Sequence, residues 1–594
     1  MAKGKLIFSS LALVAAMAAG WFFSNYLVLL FLGLRDEPQA WNMWWQYVQA
    51  LDLREFAPFA TRIKLSGTIG FGAPLMAWLA VIIALLRPKP ETLHGDASFA
   101  DLTDLKKAGL LKQNPESILI GKYKGHYLWL SGTQHVIVIS PTRSGKTATI
   151  AIPVLLTYKH SVVVLDTKGE LAKATSGWRQ SQGQRIWQWA PYDEAGSTLR
   201  FNPMTLLAWI DAKTRYAEIQ SIAAILYPDG HSGDPFWTFQ SRAAFTAFTN
   251  YMFEAWDEAG KEDPNTSPIF PSFERVLRFS TGMGGKGIKE TLQTILTETH
   301  YAFVGRETCS GFSSLINHAE QTFSSVIATM QAPLQQFLSP ILANATNATD
   351  FDITAIRKRP TTLYINIPAN KLDESSKLLN IFFSSVINNN LTKQLGEEPE
   401  LKYQMLMLMD EFTAMGRLDV WSKRISISAS YGVRDVCIVQ SRAQLRATYG
   451  DNNGQNFITN HSAQVAAASR EQSDANEYSE MLGYKTIRKR HRSTSHGGGS
   501  SQSSTHYTEE RRALMLPQEI KELPKDDQLV FYEGCKPIRA KKNWYFKDKM
   551  LMTRASMPPA VIKSVVQRGT KAQPAKDIVR PQNELTAKRL QCPP

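Results

Sequence analysis

Hydrophobic residues along this chain occur in two kinds of run, long ones near the N-terminus and short unbroken ones further on. Leu6 to Leu34 is almost uninterrupted and is flanked by Lys3, Lys5 and Arg35. At 1.5 Å rise per residue, a helix over that run crosses a bilayer with some tilt. Ser66 to Leu86, followed by Arg87 and Lys89, predicts a second crossing. Ala16-Met-Ala18 offers the small-residue pattern of a signal-peptide cleavage site. The apolar run continues past it, however, and a signal peptide does not explain a second span. The stretch between the two runs, roughly 36–64, carries Trp41, Trp44 and Trp45, a residue type that anchors headgroup boundaries. Two spans place both chain ends on one side of the membrane, and the flanking lysines assign that side to the cytoplasm, although Arg54, Arg62 and Lys64 blur the asymmetry.

After a linker at Pro88-Lys-Pro90 the pattern changes to short unbroken runs: His135 to Ile139, Ser161 to Leu165, Thr362 to Ile367, Gln404 to Met409, Val436 to Val439, Ala463 to Ala468 and Leu529 to Tyr532. Runs without polar alternation are strands buried on both faces. Helix-compatible segments separate them, so the expected fold class is α/β, a mostly parallel sheet with helices on both faces. Between about 204 and 333 the strand-like runs disappear. Tyr216 to Leu226, Phe239 to Asp257 and Gly287 to Thr297 are helix-compatible there and predict an inserted all-α domain. The expected organisation is a membrane domain over 1–90, an α/β domain over 91–203 and 334–555, the all-α domain over 204–333, and a disordered basic tail over 556–594. Lys485 to Arg492 has five Lys or Arg residues in eight and runs into Ser493 to Thr505, a Ser/Gly/His-rich segment that predicts a flexible loop.

Composition changes this picture in one respect. The 594 residues carry a formal net charge of +14, which points to a polyanionic partner, either nucleic acid or anionic lipid. Cys309, Cys437, Cys535 and Cys592 are scattered without C-x-x-C or zinc-like spacing and predict neither disulfides nor a metal cluster.

Candidate chemistry concentrates at two strand ends. The first is Ser140, Pro141, Thr142, Arg143, Ser144, Gly145, Lys146 and Thr147, directly after an apolar strand and before a helix-compatible segment. This is close to G-x-x-x-x-G-K-[ST], in which a tight turn aims backbone N–H groups at phosphate oxygens at a helix N-terminus. Gly145 allows the turn, Lys146 reaches the β/γ-phosphates of ATP, and Thr147 holds Mg²⁺ through its hydroxyl. Ser140 replaces the first glycine and must adopt an ordinary backbone conformation or accept strain. The second strand end is Asp410-Glu411, after Gln404 to Met409. There Asp410 would position Mg²⁺ and Glu411 would polarise the attacking water. Asp166 and Lys168, at the end of another buried strand, read either as groups facing the nucleotide or a neighbouring subunit, or as a solvated turn. Gly282-Met-Gly-Gly-Lys-Gly287 lacks a preceding strand and reads as a flexible basic turn.

Two N-terminal spans, Ser140 to Thr147, Asp166-x-Lys-Gly-Glu170, Asp234-Pro-Phe-Trp237, Asp410-Glu-Phe412 with Gly416-Arg-Leu418, and Gln440-Ser441 followed by Gln444-Leu445 and Tyr449-Gly450 together resemble the type IV coupling proteins of the TraG class. The resemblance runs from the first span to about Tyr545. It implies a RecA-like P-loop NTPase in the bacterial inner membrane, with a large cytoplasmic part, assembled as a hexamer. It also implies ATP hydrolysis coupled to export of relaxase-bound single-stranded DNA, of secreted protein effectors, or of both, through the inner-membrane components of a type IV secretion system. By resemblance Gln440 senses the γ-phosphate. An arginine from a neighbouring subunit often completes such sites; here Arg424 and Arg434 are the candidates. Two other readings stay open, an FtsK-type translocase of double-stranded DNA and a substrate receptor that uses nucleotide only as an assembly switch.

Overall fold

The computed structural model describes residues 2–34, 38–86, 93–229, 234–497 and 500–561; the Pro88-Lys-Pro90 linker and the tail beyond 561 lie outside them. The chain divides into two compact units, Met1–Leu93 and His94–Pro594.

In the first unit, helices Ala2–Leu32 and Ala60–Leu86 pack along each other, with the short helix Met43–Gln49 beside them. Small residues let the helix backbones approach: a Cβ on Gly70 would meet Ser24 Cα at 2.7 Å, and one on Gly20 would meet the Phe71 ring. Asn25 is buried and bonded at both ends of its amide, donating to Trp41 O and accepting from Trp44 N, each at 2.7 Å. Trp44 is thereby drawn between the helices, where its Nε1 donates to Ile63 O, whereas Trp41 and Trp45 stay exposed. Two helical segments, Phe8–Leu32 and Ala57–Ala84, are long and apolar enough to cross a membrane. Their outward side chains include Leu11, Val14, Met76 and Ile83, which suits a lipid surface better than water.

The second unit is built on one large sheet. Its strands are β1 (Ile118–Tyr123), β2 (His126–Leu130), β3 (Val136–Ile139), β4 (Ser161–Asp166), β5 (Arg185–Trp189), β6 (Thr361–Asn366), β7 (Met405–Met409), β8 (Val433–Val439), β9 (Ala463–Ala466), β12 (Asp527–Tyr532) and β13 (Ile538–Lys541); β10 (Tyr484–Gly497) and β11 (Ser500–Ala513) form a separate ribbon. The order is β2-β1-β13-β12-β9-β3-β8-β7-β4-β6-β5. From β9 to β5 all pairings are parallel, and from β9 to β2 all are antiparallel. The parallel strands match the unbroken apolar runs because both faces are covered. Met405, Met407 and Met409 pack into one core, and Leu406 and Leu408 into another on the opposite face.

Between β5 and β6 the described residues contain helices and no strand, among them Ala212–Leu226, Pro235–Glu258, Ile288–Thr297, Arg306–Ile316 and Glu320–Gln331. Asp211 and Asp234 start the first two by accepting backbone N–H groups through their carboxylates. The turn containing Lys286 is glycine-rich, with positive φ at Gly282, Gly284 and Gly285.

The structure corrects one expectation. The described residues of the expected loop, 493–497 and 500–505, are the distal part of the β10–β11 ribbon, paired in register out to Gly497↔Ser500. Such a segment builds no core, yet it needs only cross-strand backbone pairing, supported nearer the base by Arg488–Glu509 and by Arg511 over the Tyr484 ring. Cys437 and Cys535 carry free thiols.

Candidate nucleotide-binding site

The carboxyl ends of the parallel strands bring the predicted site residues to one edge. The loop Ser140–Thr147 leaves β3, Asp410 and Glu411 leave β7, Gln440 leaves β8, and Asp166 ends β4. This is where open α/β sheets place ligands.

The loop closes on itself through Ser144, whose hydroxyl donates to Pro141 O at 2.6 Å and lies 2.5 Å from Ser140 Oγ. Ser140 keeps an ordinary backbone conformation, its N–H bonded to Val439 O at 3.0 Å, so the missing glycine is tolerated without strain. Positive φ falls instead on Arg143 (63°) and Gly145 (87°). Gly145 is also sterically required, because an added Cβ would sit 2.3 Å from the Trp544 ring. A turn of π-helix, Thr147–Ala151, then leads into the helix Ile152–Thr157.

Lys146 is buried, and its Nζ lies 3.0 Å from Glu411 Oε1. Thr147 Oγ1 donates to Asp410 Oδ2 at 3.0 Å, and Gln440 Nε2 donates to Glu411 Oε2 at 3.0 Å. Four of the predicted residues thus form two adjoining pairs, with Gln440 joined to one of them. Glu411 occupies the left-handed region at φ 57°, ψ 44°, a strained position that a non-glycine residue holds only when its surroundings enforce it. Burial pushes the Asp410 carboxyl up to about 6, with Thr147 pulling it down and Glu411 pushing it further up. Burial also opposes ionisation of Glu411. The Gln440 hydrogen bond and the Lys146 charge outweigh it and hold this carboxyl below the usual range.

Asp410 Oδ1 is buried without a hydrogen-bond partner. An orphaned carboxylate oxygen beside a threonine hydroxyl is the oxygen donor set a Mg²⁺ ion takes, and the lysine and loop amides suit a polyphosphate, so the residues present fit both groups.

The Asp166 carboxylate is turned into the strand-to-helix bend, accepting Ala172 N–H at 2.9 Å, while exposed Lys168 contributes positive charge at Asp410 and Glu411. Arg434 is not available as an exchanging arginine. It is fully buried and donates to Gln134 O and Glu116 O at the other end of β8. Arg424 is exposed and lines a cavity of about 810 Å³ together with Arg242, Lys377, Arg417 and Lys423. The motif reading missed three contacts to the loop. Buried Lys542 donates to Ser144 O at 2.9 Å, Trp544 covers Gly145, and Arg470 reaches Thr142 O at 3.3 Å. All three come from segments far downstream that carry no motif of their own.

Sheet order, phosphate loop and strand-end acids together define a P-loop NTPase of RecA-like fold. The sequence profile of the family described as "Type IV secretory system Conjugative DNA transfer" matches residues 98–568, and the chain belongs to that family. It is 26% identical over 493 residues to "Protein VirD4" of Rhizobium radiobacter, covering 81% of this chain and 68% of that protein. To a "Conjugal transfer protein TraG" of Escherichia coli it is 26% identical over 572 residues, covering 87% and 88%. Among solved structures, "Plasmid coupling protein TrwB in complex with ADP and Mg2+" aligns with TM-score 0.52 and 15% identity over 77% of this chain and 95% of that one. The unbound monoclinic form of TrwB aligns with TM-score 0.53 and 16% identity, covering 77% and 96%. At these identities the structures share the fold.

Proposed function

We propose that this protein is an ATP-hydrolysing coupling protein of the inner membrane that delivers relaxase-bound single-stranded DNA, secreted protein effectors, or both to a type IV secretion channel. The observation that carries the reading is the coupled pair Lys146–Glu411 with Gln440 on the same carboxylate, placed beside Thr147–Asp410. A site that only bound nucleotide would not need an ionised carboxylate, strained into place next to the phosphate lysine.

In this reading the loop amides and Lys146 bind the phosphates of ATP. Thr147 and Asp410 hold the metal, and Mg²⁺ when bound neutralises charge on the transferring phosphoryl group. Glu411, kept ionised by Lys146 and Gln440, orients the attacking water, and Gln440 reports the state of the γ-phosphate to β8. Arg424, exposed in a basic cavity, is the candidate for completing a neighbouring subunit's site in a hexameric ring. The helical segment 204–333 serves as a separate functional domain, and the two apolar helices anchor the chain as a multi-pass membrane protein. The net charge of +14 suits a nucleic-acid cargo and anionic lipid at the membrane alike. Steady-state phosphate release with and without single-stranded DNA tests the reading. Turnover should require Lys146 and Glu411; undiminished hydrolysis in Lys146→Ala or Glu411→Gln would remove the assignment.

A further inference from the structure

The amino ends of β3, β8 and β9, on the side of the sheet away from the phosphate loop, bring together His135, Asp435, Cys437 and His461. All four are buried, Asp435 and Cys437 at 0% exposure and His461 at 1%. Asp435 and Cys437 are two apart on β8 and so share one face of the strand. Donor atoms of Asp435, Cys437 and His461 lie within 4.8 Å of one another.

The polar atoms of this cluster converge on the Asp435 carboxylate. His461 Nδ1 is 2.7 Å from the Phe457 carbonyl oxygen, which can only accept, so the ring proton sits on Nδ1. The opposite nitrogen, Nε2, then presents a lone pair. It is buried without a hydrogen-bond partner and faces Asp435 Oδ1, another acceptor, at 3.1 Å. Cys437 Sγ stands 3.0 Å from Asp435 Oδ2. The carboxylate is held in place from outside, by Trp421 Nε1 at 2.7 Å and His135 Nδ1 at 2.8 Å. A metal ion in this space would take up the lone pairs of both His461 Nε2 and Asp435.

We propose that Asp435, Cys437 and His461 bind one divalent transition-metal ion of the zinc type. Nitrogen, oxygen and sulfur donors are the set such ions select, and bond lengths of about 2.0–2.3 Å put neighbouring donors roughly 3–4 Å apart. Charge also balances: one carboxylate and one thiolate neutralise the ion, the imidazole stays neutral, and the thiol proton leaves to solvent on binding. His135 and Trp421 are the outer partners that fix the carboxylate's orientation. The ion would tie together the starts of strands whose far ends carry the phosphate loop, Gln440 and Arg470. Sequence spacing could not show it, because the third donor, His461, lies 24 residues beyond the Asp435-x-Cys437 pair on β8.

The test uses full-length protein in detergent, stripped with a chelator, returned to Mg²⁺-containing buffer and titrated with Co²⁺ as a spectroscopic probe. The expected result is one cobalt per chain with a thiolate-to-cobalt charge-transfer band. Cys437→Ser abolishes the band, Cys535→Ser keeps it, and His461→Gln weakens binding at least about tenfold. Well under one ion per chain, or a band unchanged in Cys437→Ser, overturns the proposal and means that His461 carries a second proton. Should Cys437→Ser fail to fold, the wild-type melting temperature decides. A fall on chelation that Zn²⁺ reverses supports the site, and no change overturns it.

Discussion

Lys146 Nζ and Glu411 Oε1 stand 3.0 Å apart, which links the residue that would bind phosphate to the residue that would activate water. The two roles separate on mutation. Glu411→Gln should keep nucleotide affinity within a few-fold while lowering turnover by about 10² or more, whereas Lys146→Ala should lose both. Nucleotide binding and phosphate release measured on the same preparations check this.

Gln440 touches Glu411 and not the loop. Gln440→Ala should therefore lower kcat by roughly tenfold, about 1.4 kcal/mol, with little change in KM. A rise in KM at constant kcat would show instead that Gln440 contributes to ground-state binding.

Asp410 gives a stability prediction with a definite sign. Its carboxyl is raised from 3.8 to about 6 in the fold, chiefly by burial. A raised carboxyl favours the fold at pH below 3.8, and that contribution is lost as pH rises through 6. At pH 7 and without Mg²⁺ the buried charge costs on the order of 1–3 kcal/mol. Asp410→Asn should raise metal-free stability by about that amount in denaturant melts at pH 7, lose the gain below pH 4, and abolish Mg²⁺-dependent turnover.

The parts of the fold that were legible in the sequence are those where physical demand leaves few choices. Met405–Met409 and Val136–Ile139 read as strands because burial on both faces forbids polar alternation. The phosphate loop and the Asp410-Glu411 pair read through residue types that phosphate and metal require. The antiparallel edge was harder. His126–Leu130 and Ile538–Lys541 are short and half polar, with Arg539 and Lys541 pointing outward to Asp527. The β10–β11 ribbon was illegible because Ser and Gly do not favour strands and its pairing is backbone to backbone. Lys542 and Trp544 were missed because their partner is the loop some 400 residues earlier, a contact that only the β12–β13 hairpin creates.

Lys542 supports the loop rather than touching any group predicted to react. Removing its bond to Ser144 O should loosen the loop by about 1 kcal/mol, raising the nucleotide KM roughly fivefold in Lys542→Met while kcat stays within twofold. Gly145→Ala should be far worse, since the new Cβ meets Trp544 and φ is 87°. Adding Trp544→Ala should restore folding only in part, because the backbone strain remains. Thermal melts of the single and double variants separate the two contributions.

The central claim is that nucleotide turnover at this site drives export. Transfer of a mobilisable plasmid, measured alongside export of a reporter-fused effector, tests it in cells carrying wild-type protein, Lys146→Ala or Glu411→Gln at matched membrane levels. The account predicts that at least one of the two cargoes falls by about 10³-fold or more in both variants. Wild-type transfer and export in either variant would contradict it.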